Sequence, residues 1–162
     1  FTITVIAFLI SYEIMYYFVD TPLSDRHFII LLIFVALMYP IHKALHLLFF
    51  LPYVNSFRIH KLNKKRWLPY FNTYVSTPVH KIYFCINLIL PFILITIFLI
   101  FLTMHFPQYG HYFMFLLALN FGISVMDFLY LKIIIFSNEG HFIEEHQTGI
   151  NILNKVPYQS FH

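Results

Sequence analysis

The chain has 162 residues, of which 60% are hydrophobic, 21% aromatic and only 10% charged, with a formal charge of +3 and a mean hydropathy of +0.75. Soluble domains carry about 25% charged residues, so this composition excludes an ordinary soluble enzyme and points to an all-α integral membrane protein, one domain over residues 1–162. The lone cysteine, Cys85, excludes an internal disulfide framework.

Four apolar runs match the roughly 20 residues that a spanning helix needs. The first runs from Phe1 to about Val19 and is interrupted by Glu13; the second, from about Phe28 to Phe50, contains His42, Lys43 and His46. The third runs from about Ile82 to Thr103, and the fourth, from about Tyr112 to Phe136, contains Asp127. Residues 1–19 are read as a span and not as a secretory leader, because no basic stretch precedes the apolar run and Asp20-Thr21-Pro22 is a poor cleavage site. The chain begins at Phe1 and not at Met, so residues upstream are expected.

Charge orients the spans. Residues 53–81 hold Arg58, Lys61, Lys64, Lys65, Arg66 and Lys81 and no acid, which places this loop in the cytoplasm. The 104–111 loop has no Lys or Arg and the 20–27 loop has one Arg against two Asp, so both are expected outside. Four spans then put both termini in the cytoplasm of a multi-pass cell-membrane protein. The basic charge has this topological explanation, so the lipid bilayer is the expected partner and no nucleic acid is. Within the loop, Asn72–Ser76 between Pro69 and Pro78 is β-branched and aromatic in character. It predicts either a short β-hairpin at the membrane surface or a basic loop held to anionic headgroups, with Trp67, Tyr70 and Tyr74 at the interface. The polar tail, residues 137–162, reads as a short turn-and-strand cap, since Ile150 and Ile152 alternate with Asn151.

An ionisable residue inside a span is costly, and usually faces the protein interior and marks function. The candidates are Glu13, His42, Lys43, His46 and Asp127. Positions i and i+4 share a helix face, so His42 and His46 can address one object. At 1.5 Å per residue, the histidines and Asp127 all lie about 6–14 Å inside the cytoplasmic ends of their spans. Two histidines and a carboxylate with a fourth position open is a catalytic zinc arrangement. Asn120 and Ser124 fall on the Asp127 face of span four and are expected to orient its carboxylate. Small residues Ala118, Gly122 and Ser124 would let that span approach a neighbour closely. The competing reading is a Lys43–Asp127 ion pair with no metal, the polar stripe merely joining helices.

Several stretches together resemble the bacterial "putative zincin peptidase" membrane family, a domain-of-unknown-function family loosely similar to site-2 intramembrane metalloproteases. They are His42-Lys43-Ala44-Leu45-His46, Thr77-Pro78-Val79-His80-Lys81, Pro91, Asn120-x3-Ser124-x2-Asp127 and Glu144 to Ile150. The resemblance covers about residues 28–153. It implies zinc as cofactor, with His42 and His46 as ligands and Asp127 as the third. It also implies that the family's general-base glutamate falls at Lys43. A lysine ammonium has no lone pair with which to take a proton from water, so an inactive family member that binds a membrane peptide or protein partner is expected. An active zinc metallopeptidase with a carboxylate borrowed from Glu13, Glu139, Glu144 or Glu145, and a non-enzymatic protein with no metal, are the alternatives.

Overall fold

The computed structural model describes residues 2–18, 21–61, 71–75, 77–137, 140–146 and 149–154. The end of the first run at Val19, the charges Lys64, Lys65 and Arg66, the aromatics Trp67 and Tyr70, and Glu139 lie outside the described residues.

Four helices carry the apolar runs: α1 (Thr2–Phe18), α2 (Phe28–Phe49), α3 (Lys81–His105) and α4 (Gly110–Phe136). Segments this apolar satisfy their backbone groups internally, which selects helix. Three stretches, Phe28–Phe49, Lys81–His105 and Pro107–Phe136, are long and apolar enough to cross a membrane. The expectation of four spans is corrected in detail: α1 has 17 described residues.

Punctuation sets the ends. His80 caps α3, its Nδ1 accepting from the Ile82 amide at 3.3 Å. Phe106 and Pro107 end it, and a single 3₁₀ turn over Pro107–Tyr109 leads into α4. The α1–α2 connection is tied to this end of the bundle, where the Ser24 amide donates to the Gln108 carbonyl at 2.9 Å and His111 Nε2 lies 3.1 Å from Asp25 Oδ1. At the other end, Lys81 Nζ donates to the Ser137 carbonyl at 2.7 Å, placing a cation at the negative end of α4. The Tyr83 hydroxyl donates to the Phe49 carbonyl in the last turn of α2.

The molecule is not purely α. In the basic loop, β1 (Phe57–Lys61) pairs antiparallel with β2 (Phe71–Val75), Phe57 opposite Val75, as the hairpin alternative predicted. The tail forms β4 (Phe142–His146) and β5 (Gly149–Leu153), and β3 (Val79–His80), just before α3, joins them in the order β3-β4-β5. Ile143 on β4 and Val79 on β3 are buried with Phe50, Phe84, Leu88 and Ile134, so this sheet plugs the ends of α2, α3 and α4.

α4 packs against all three other helices. A second apolar cluster, Met38, Ile95, Leu99 and Leu116, fills the space between α2, α3 and α4 further along the bundle. Between the two clusters α2 contributes His42 and His46, and α4 contributes Asn120 to Asp127. Outward faces are apolar: Ile29 is 75% exposed and Phe136 77%. Gly122 of α4 lies against Thr4 of α1, where a Cβ would run into the Thr4 hydroxyl.

Candidate metal centre

His42 and His46 occupy one face of α2 one turn apart, their rings 4.9 Å between centroids. His42 is buried at 3% exposure, because α4 closes over it. Its Nε2 lies 3.0 Å from Asp127 Oδ2, and His46 Nε2 lies 3.5 Å from the same oxygen. The two Nε2 atoms are 3.2 Å apart. The three residues predicted from helix spacing and depth are therefore brought together, with their donor atoms all within 4.8 Å of one another, and could hold a metal ion.

The outer ring nitrogens decide what this convergence means. His46 Nδ1 lies 3.0 Å from the Asn87 backbone carbonyl. A carbonyl only accepts, so Nδ1 carries the proton and Nε2 of a neutral ring presents a lone pair. His42 Nδ1 lies 3.3 Å from Asn120 Oδ1. The Asn120 amide is oriented from its other side, where Nδ2 donates to the Phe92 carbonyl and to Thr96 Oγ1, each at 3.3 Å. Oδ1 thus faces His42 as an acceptor, and His42 too carries its proton on Nδ1. Three lone-pair atoms, two of nitrogen and one of a carboxylate, then face a common point.

With both rings neutral, three such acceptors at 3.0–3.5 Å repel unless a proton or a metal ion lies between them. The donor chemistry fits a metal of the zinc type, which takes imidazole nitrogen and carboxylate oxygen together. Size fits as well: bonds of about 2.0–2.1 Å in a tetrahedron put donors about 3.3 Å apart, against the observed 3.0, 3.2 and 3.5 Å.

Asn120 and Ser124 are both fully buried on α4. Their contacts differ from the expectation that they would orient Asp127. Asn120 holds His42, and Ser124 Oγ donates to the Asn120 carbonyl at 2.9 Å, steadying the turn that carries it. Lys43 is half-buried on α2 beside His42, where a zincin has glutamate. Glu13 is exposed on α1, and Glu144 and Glu145 lie on β4. Two participants were missed from sequence. Thr96 looks like any small residue of a span. Asn87 carried a signal, an amide side chain in an apolar helix four residues before Pro91.

A helix with HxxxH, a carboxylate from a second helix and outer nitrogens anchored on acceptors define a zincin-like site in a bundle of apolar helices. Residues 35–142 match the model of the family described as "Putative zincin peptidase", and the chain belongs to this family. Among curated proteins and solved structures, none matches the chain.

Proposed function

We propose that this chain is a membrane-embedded member of its family that holds zinc on His42, His46 and Asp127, does not hydrolyse peptide bonds, and works by binding a membrane peptide or protein partner. The observation that carries the metal half is the convergence of three lone-pair atoms while both Nδ1–H groups are engaged elsewhere. The position of Asp127 Oδ2 against the two imidazoles favours this over an ion pair with Lys43. Long apolar helices with apolar outward faces support the bilayer as its surroundings. The six basic residues and absence of acids over residues 53–81 support a cytoplasmic loop between α2 and α3.

When bound, zinc supplies a Lewis acid that polarises a peptide carbonyl and acidifies water. Peptide hydrolysis then needs a residue to take a proton and return it to the leaving amine. In a zincin the glutamate beside the first histidine does this. Lys43 stands there instead, and a lysine ammonium has no lone pair to offer. The chain retains the residues that hold and orient, and lacks the one that moves the proton.

Zinc content of the detergent-purified protein tests the reading. About one zinc per chain, lost in His46→Ala, is expected, with no cleavage of a model membrane substrate. Absence of zinc from the parent overturns the metal half. Cleavage that His46→Ala abolishes overturns the inactive half and makes the chain a working metallopeptidase.

A further inference from the structure

A carbonyl inside a helix accepts from the amide four residues later. In α3 that amide is missing at one place. Pro91 lies inside the helix and has no N–H, and its ring crowds the carbonyl four residues earlier. That carbonyl belongs to Asn87, which is buried at 3% exposure. Left alone, it would be a buried acceptor without its helical donor, a loss comparable to a broken hydrogen bond. The donor comes from another helix: His46 Nδ1 of α2 lies 3.0 Å from the Asn87 oxygen.

We propose that Pro91 and the Asn87 carbonyl form a positioning device for His46. The proline vacates the carbonyl. The carbonyl then fixes the ring in the Nδ1–H tautomer and aims Nε2 at His42 Nε2 and Asp127 Oδ2, which stand 3.2 and 3.5 Å away. A backbone carbonyl suits the role better than a side chain, because it cannot rotate away or reverse its polarity. Pro91 is itself fully buried, so its ring is held in place by packing. His42 has its own anchor in Asn120, so the two imidazoles are fixed from opposite sides, one by α3 backbone and one by an α4 side chain. The metal part of this inference rests on the zinc reading above; the tautomer part holds for the metal-free chain.

Pro91→Ala separates the two. It restores an N–H at residue 91 that competes with His46 for the Asn87 carbonyl. The full chain in detergent, stripped of metal, is labelled with ¹⁵N-histidine, and the His46 signals are assigned by their loss in His46→Ala. Expected are an Nδ1–H tautomer at His46 in the parent, a mixed or Nε2–H tautomer in Pro91→Ala, and zinc affinity lower by about 10–100-fold, as for loss of an outer-nitrogen partner. The melting temperature does not discriminate, since the gained intrahelical hydrogen bond and the loss of a buried ring oppose each other; the tautomer and the zinc affinity do. A merely structural proline would leave the tautomer alone. Nε2–H at His46 in the parent overturns the proposal, as does unchanged tautomer and zinc affinity in Pro91→Ala. Should the alanine variant fail to fold, Pro91→Gly restores the same N–H without a side chain. A parent that binds no zinc but shows the tautomer shift would sink the zinc reading and leave the positioning device standing.

Discussion

His42 Nε2 and Asp127 Oδ2 meet at 3.0 Å although 85 positions separate them in the chain. The meeting is made by α2 and α4 packing side by side, and its charge is central to the metal reading. Replacing Asp127 by Asn keeps the shape and removes the anion, while offering an amide donor to the imidazoles. We expect Asp127→Asn to fold with a melting temperature close to the parent's. Zinc affinity should fall by at least about 10-fold, since a hard anionic ligand becomes a neutral amide. A zinc titration alongside thermal melting checks this. Collapse of the fold with Asp127→Asn would instead mark Asp127 as one half of a structural ion pair with a cation.

Asn120 and Ser124 lie one turn apart on α4 and should respond differently to alanine. Asn120→Ala leaves His42 Nδ1 without its partner in a buried site and removes a second donor from the Phe92 carbonyl and from Thr96 Oγ1. Leaving buried groups unpaired costs about 1–3 kcal/mol, and loss of a metal ligand's outer partner weakens binding about 10–100-fold. Ser124→Ala removes one bond to a carbonyl of its own helix. It should cost about 1 kcal/mol or less and leave zinc affinity within about twofold. Equal effects of the two variants on zinc binding would contradict the assignment of Asn120 as the anchor of His42.

The convergence of His42, His46 and Asp127 was legible because helix periodicity and depth along an apolar run are both readable from a one-dimensional string. His42 and His46 share a face by spacing alone, and Asp127 sits at matching depth once loop charges fix the direction of each span. What the string did not carry was rotation of the helices about their axes. That rotation puts Asn120 against His42 and not Asp127, turns Ser124 back onto its own helix, and brings Thr96 and Asn87 into the network. The strand β3 was hidden for a related reason: two residues, Val79 and His80, have no period of their own and pair only because the tail returns to them. The hairpin of β1 and β2 was half legible, since β-branched content marked one strand and nothing local marked its partner.

Gly122 lets α1 approach α4 at Thr4. A methyl group at residue 122 would overlap the Thr4 hydroxyl, and a β-branched side chain has little rotamer freedom with which to move away. Gly122→Ala should therefore push α1 outward and cost about 1–3 kcal/mol, the range for overpacking. Zinc affinity should stay within about twofold, because the centre is built from α2, α3 and α4. Thermal melting and a zinc titration on one preparation check both halves. A large loss of zinc binding would mean that α1 supports the centre through α4.

Lys43→Glu writes a carboxylate into the one position where the motif departs from a zincin, giving His-Glu-x-x-His in the helix that already carries both imidazoles. Two effects follow from the charge change. Removal of a cation beside the centre should raise zinc affinity and not lower it. A carboxylate there can take a proton and deliver it to a leaving amine, a contribution of about 10²–10⁴ in rate. The expected outcome is cleavage of a model transmembrane reporter at least about 100-fold faster than in the parent. The new activity should be lost with a chelator and with His46→Ala in the same chain. The assay belongs in detergent or vesicles with purified protein, because a contaminating peptidase would not track the His46 substitution. A parent that already cleaves at a comparable rate would mean that another group moves the proton. Zinc-loaded Lys43→Glu without cleavage would mean that the missing carboxylate is not what silences the site, and that substrate access to His42, His46 and Asp127 is closed by the packing of α4 over α2.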